Sequence, residues 1–172
     1  LYQFGIRNGM ILLLNVVTAL VIGLLTEQLA VVAEFTLSFM VLRSYTGGYH
    51  SDSRIFCYLG SNLVLLVPVY TQAVFYKTSL ARLLAVLLVS AGIIFLLSPM
   101  HSKNRKLDKE EQKHFGRKAR LIAALELAVL GILWHAGQIP YAYAVYTGIC
   151  ITALFMLVGK AQLWIQSHTE NG

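Results

Sequence analysis

Apolar positions along the chain gather into six runs separated by polar breaks: Phe4–Leu25, Leu29–Leu42, Ile55–Tyr76, Ser79–Leu97, Ala119–Ala136 and Tyr141–Gly159. Runs three, four and six approach the roughly 20 residues that cross a bilayer, and run one does so with Arg7 and Asn8 at the interface. Run two is shorter and contains Glu34, which reads as a tilted half-span or a re-entrant helix. Lipid gives the backbone no hydrogen-bond partners, so each run is expected to be helical. A transmembrane β-barrel would need alternating segments of about ten residues, and none is seen. The pattern predicts an all-α, polytopic membrane helical bundle of about six transmembrane or partly re-entrant helices, a single domain over residues 1–172.

Composition sharpens this reading. Hydrophobic residues make up 57% of the 172 and charged residues 13%, about half the charged share of a soluble domain. That excludes a disordered chain and disfavours a water-soluble core. The net charge of +6 would raise nucleic acid as a partner in a soluble protein, but here the cations sit in the connections between apolar runs. With both termini cytoplasmic, all but Lys77 and Arg82 of the 14 Lys and Arg residues fall inside, as the positive-inside rule requires. The expectation is a multi-pass cell-membrane protein in contact with the bilayer and not with nucleic acid. No signal peptide is evident; the chain opens at Leu1 without Met, so a short preceding piece is expected.

The connection between runs two and three carries the candidate chemistry. Arg43-Ser44-Tyr45-Thr46-Gly47-Gly48-Tyr49-His50-Ser51-Asp52-Ser53-Arg54-Ile55-Phe56-Cys57 places an imidazole and a thiol near one membrane face. A thiol activated by a neighbouring base is the minimal equipment for nucleophilic catalysis. On one straight helix, residues seven apart lie about 10 Å apart along the axis, so a His50–Cys57 dyad needs a bend between them. Ser51-Asp52-Ser53 supplies the bend and an N-cap, which predicts a looped His50 and a helical Cys57 one to two turns into its helix. Gly47 and Gly48 permit φ > 0 and close substrate approach, and their N–H groups are oxyanion-site candidates. Arg43 would bind a substrate carbonyl or carboxylate, or lock the loop to the preceding helix. Asp52 and Glu34 are the alternative carboxylate supports near His50.

Singly, each of these residues has a bland explanation: a turn, an anchor, a structural histidine. Their density within fifteen residues is what argues for a site. Glu34 and Glu126 interrupt apolar runs, where ionisable groups are costly and count as functional candidates. They motivate an alternative reading, a small transporter or exporter using both carboxylates, although no inverted repeat accompanies them. For Glu126 a paired carboxylate facing the bundle is the preferred expectation. Cys150, without a nearby base, reads as packing. The two cysteines form no disulfide framework, and the scattered histidines form no metal set, so neither metal nor cofactor is expected.

At Arg43, Gly47-Gly48, His50 and Cys57 the sequence resembles the Arg-x3-Gly-Gly-x-His-x6-Cys signature of the accessory gene regulator B (AgrB) family. The six-run hydropathy, the short second run with Glu34 and the Pro99…Asn104-Arg105-Lys106-Leu107 segment also resemble that family, over nearly the whole chain except an N-terminal amphipathic segment. The resemblance implies a membrane cysteine endopeptidase of a Gram-positive bacterium, processing a quorum-sensing propeptide. That substrate would carry an amphipathic N-terminal leader and an acidic C-terminal tail, and its processing helps close a thiolactone or lactone ring. It implies Cys57 as nucleophile and His50 as base, with Arg43 and Gly48 at matched positions. The basic segment over residues 99–120 then has two readings. It sets topology and attracts anionic lipid, or its Lys103, Arg105, Lys106 and Lys109 dock the acidic tail. Small bundles often associate, so a homodimer is also expected.

Overall fold

A computed structural model describes residues 2–47, 54–100 and 108–169, with side chains over 13–47, 60–100, 108, 110–165. All elements among the described residues are α-helices: α1 (Tyr2–Leu25), α2 (Leu29–Thr46), α3 (Arg54–Lys77), α4 (Leu80–Leu97), α5 (Lys109–His135) and α6 (Ile139–Thr169). The six apolar runs thus correspond one to one with helices, and the bundle is all-α.

Three helices outrun their apolar runs by four residues or more: α6 continues ten residues past Gly159 to Thr169, and α2 and α5 are also extended. α2 continues through Arg43-Ser44-Tyr45-Thr46, so the short second run belongs to an 18-residue helix that is long and apolar enough to cross a membrane. Those four residues are polar, but nothing in them breaks a helix; Gly47 does. α5 starts at Lys109, ten residues before its apolar run. Asp108 and Glu111 form a capping box there, with the Asp108 N–H donating to Glu111 Oε2 at 3.4 Å. This box satisfies the first orphan donors of the helix. Much of the basic segment, from Lys109 to Arg120, is therefore helix.

Three connections lie at one end of the bundle and are tight. After α1, Glu27 N–H donates to Leu24 O (3.2 Å) and Gln28 N–H to Gly23 O (2.9 Å). After α5, Gly137 N–H donates to Trp134 O (3.2 Å) and Gln138 N–H to Leu133 O (2.9 Å). Both pairs are the 5→2 and 6→1 bonds of a Schellman cap. The cap needs a left-handed residue, and here the two turns differ: Gly137 has φ 71°, whereas Glu27 holds φ 57° with a side chain. Gly23 makes the first turn possible, since a Cβ on it would come within 2.8 Å of Leu29 Cα. Between α3 and α4, Ser79 O accepts from Arg82 and Leu83 N–H groups.

α6 runs through the middle and packs on α2, α3, α4 and α5. Its buried face is mainly small and medium residues, Ala142, Ala144, Val145, Ile149, Ala153 and Met156. Tyr143 fastens it to α3: its hydroxyl donates to Pro68 O at 2.9 Å and lies 2.6 Å from Thr71 Oγ1. The Phe75 ring packs against Tyr143 in a tilted arrangement, centroids 4.9 Å apart. The outside is the reverse of a soluble surface. Leu25, Leu88 and Leu96 are 80%, 71% and 82% exposed, within an apolar exterior far larger than a water-soluble monomer presents. α2, α4 and α6 are each long and apolar enough to span a membrane.

The unequal Schellman turns give a test. A left-handed conformation costs a non-glycine residue about 1 kcal/mol, so Glu27→Gly should raise the thermal midpoint in detergent. Gly137→Ala should lower it by a similar increment. Equal, negligible shifts in both would remove the strain argument.

Candidate active site

The four ends and starts of helices opposite those tight turns converge on the motif. α2 ends there, α3 and α5 begin there, and α4 ends there. α2 stops because of Gly47, whose N–H still donates to Arg43 O at 3.3 Å. Gly47 has φ 72° and ψ −153°, a region open essentially to glycine alone. A Cβ there would also meet Met100 O at 2.6 Å. The positive φ expected of the glycine pair is therefore found at Gly47, and it has a packing cause as well as a conformational one. Beside it, Met100 N–H donates to Thr46 O at 2.9 Å. This bond ties the strand-like stretch after α4 to the last turn of α2.

Arg43 lies one turn earlier. Its guanidinium sits over the Phe155 ring at 4.6 Å and the Phe39 ring at 5.7 Å, so it bridges α2 and α6 through cation–π contacts. Tyr45 faces α5, 6.4 Å from the Phe115 ring, with Lys118 Nζ 5.9 Å from its own ring centre. The result is a cluster of aromatic and cationic side chains around the last turn of α2. In these contacts Arg43 joins the last turns of α2 to α6.

Cys57 is the fourth residue of α3, so it is helical and lies in the first turn, nearer the helix end than the spacing alone indicated. Lys109 is the first residue of α5. His50, Gly48 and Asp52, and the bend and cap assigned to Ser51–Ser53, lie outside the described residues, as do Lys103, Arg105 and Lys106.

The intramembrane carboxylates occupy a different place. Ser38 Oγ donates to Glu126 Oε2 at 2.7 Å, joining α2 to α5. Glu34 is one turn before Ser38 on the same face of α2. Gly148 on α6 closes the trio: a Cβ on it would lie 2.5 Å from Ser38 Oγ. Glu126 thus faces the bundle with a hydrogen-bonding partner, as expected. Ser38 and Gly148 were not singled out by the sequence, because a serine and a glycine inside apolar runs carry no signal until their helices are paired. Cys150 is half-buried beside Ser90 and Tyr146, consistent with packing.

An all-α bundle with helices long and apolar enough to cross a membrane has the make-up of a helical membrane protein. The family model for accessory gene regulator B matches residues 1–157, and the chain belongs to that family, which processes quorum-sensing propeptides. The match contains the whole motif and every helix up to most of α6. No curated protein matches the chain, and no solved structure does.

Two substitutions test the geometry of this end. Gly47→Ala should cost roughly 1–3 kcal/mol, from a disallowed backbone region and the contact with Met100 O. Gly148→Ala should separate α2 from α6 at Ser38 and lower the melting temperature, while the same change at Gly92 or Gly131, where a Cβ meets nothing, should be neutral.

Proposed function

We propose that this protein is a membrane-embedded cysteine endopeptidase that removes the C-terminal tail of a quorum-sensing propeptide through a Cys57 thioester. The observation that carries the reading is the position of Cys57 in the first turn of α3, ten residues beyond a Gly47 fixed against Met100. In the chain, His50 stands between the end of α2 and the start of α3, within six positions of each.

The steps balance as follows. His50 takes the Cys57 thiol proton, and the thiolate attacks the carbonyl at the junction of peptide core and tail. The amide C–N bond breaks, His50 returns the proton to the departing amine, and an acyl-enzyme thioester remains. A thiolate within the peptide then attacks that thioester, forming the thiolactone and releasing Cys57; a hydroxyl nucleophile would give a lactone. The second exchange is nearly balanced and the first is uphill, so loss of the tail or export of product drives the sequence. Water must be kept from the thioester, and a site at the membrane boundary serves that end. Gly47 and Gly48 N–H groups are candidates for the oxyanion, and Asp52 for orienting His50.

The protein is multi-pass with both termini cytoplasmic in this reading, which puts the motif and the cations of residues 103–120 on the cytoplasmic side. There Lys103, Arg105, Lys106 and Lys109 meet the acidic tail. In this reading Glu126 has a structural role, since its bond from Ser38 joins α2 to α5. A homodimer is the proposed assembly.

Cys57→Ala should abolish cleavage of the propeptide, and His50→Ala should slow it roughly 100- to 10,000-fold; normal cutting by either variant refutes the mechanism. A thiol-reactive peptide should label Cys57 and spare Cys150. Reversing the charges of Lys106 and Lys109 should weaken cleavage without changing topology, and unaltered kinetics would reject tail docking.

A further inference from the structure

A second feature at the motif end lies outside the chemistry above. Where α4 ends, a cleft of about 570 Å³ opens between it and the first turns of α5, within the ~300–1,000 Å³ range of small-molecule sites. Lys113, Arg117 and Arg120 project along one side of it, spaced four and three apart and so on one helix face. All three are exposed. Among the described residues no carboxylate lines the cleft, so three like charges face a common space.

The remaining walls are shaped for an occupant. Gly116 lies between the cations, and a Cβ on it would press within 3.0 Å of Pro99 Cδ, so its absence lets α5 seat on Pro99. Ser98 lines the cleft and is 5% exposed, and its hydroxyl has no hydrogen-bond partner among the described residues. Arg120 is held in place by its Nε donating to Phe95 O at 3.2 Å, which leaves its terminal nitrogens for another acceptor.

We propose that this cleft is a binding site for the headgroup of an anionic phospholipid. The cleft sits where the apolar α4 gives way to Ser98 and Pro99, the depth of the headgroup layer for a helix that spans. One wall is Leu96, 82% exposed on the lipid-facing side. A phospholipid offers both parts at once, a phosphate for the cations and an acyl chain to lie along Leu96. A soluble acidic segment matches only the cations. Basic pockets between helices at a membrane interface hold anionic lipid headgroups by this combination. The occupant also bears on the motif: the Ser98–Met100 stretch that forms part of the cleft is the one bonded to Thr46. The proposal rests on the membrane reading of the fold and is independent of the peptidase mechanism.

The test is native mass spectrometry of the purified full chain in detergent, titrated with phosphatidylglycerol or phosphatidylcholine of matched acyl chains. The wild type should retain phosphatidylglycerol in preference. Each cation near an anionic surface strengthens binding about fivefold, so Lys113→Gln/Arg117→Gln should lose about 25-fold of that preference. Lys77→Gln/Arg82→Gln, which removes two cations at the opposite end, should leave it intact. Arg117→Gln alone should lose about fivefold and guards against a folding defect in the double variant. Equal retention of the two lipids, or a preference that survives removal of both cations, overturns the proposal. Displacement of the bound lipid by inorganic phosphate or by a soluble glutamate-rich peptide at equal concentration overturns it too, in favour of a free anion or a peptide site.

Discussion

The approach of α2 to α6 at Gly148 and Ser38 sets the spacing of everything else. A hydrogen atom in place of a side chain lets Ser38 reach across to Glu126, so one contact fixes three helices. In an apolar solvent there is little hydrophobic drive to bring helices together, and close packing of small residues plus interhelical hydrogen bonds must serve instead. The α6 face, rich in Ala and Gly, is built for this. Arg43 and Phe155 then meet two turns further along the same pair of helices, so the motif inherits its position from the packing below it.

This makes the protein's division of labour physical. Tight turns occupy one end, each closing within two or three residues, and hold the helices at fixed stagger. The other end carries the longer connections, the cations and the candidate nucleophile. A site built on loops needs a rigid frame beneath it; here the frame is supplied by Gly47 against Met100, by Tyr45 against Phe115 and by Arg43 over its two rings.

Much of this was legible in the sequence, for identifiable reasons. All six helices follow from apolar runs, because in lipid the backbone has few alternatives. The end of α2 was misjudged because apolar content, not helix breaking, was used to place it; Gly47 is the stop, and it was visible. The early start of α5 was also written in the Asp108–Glu111 spacing, but a polar first turn does not register as an apolar run. The fourth position of Cys57 in α3 agrees with the helical placement read from the motif. The Ser38–Glu126 bond was beyond reach, since 88 residues separate its partners and neither hints at the other. The anionic-lipid cleft was similarly hidden: its cations were counted as topology signals until α5 placed them on one face beside the end of α4.

The bond from Met100 N–H to Thr46 O has a further meaning. It joins the end of α2 to the stretch after α4, more than fifty positions apart in the chain, so these two helix ends form one mechanical unit. A force or a ligand acting on either is felt by both, and neither can be lengthened, clipped or re-angled as though the other were a bystander.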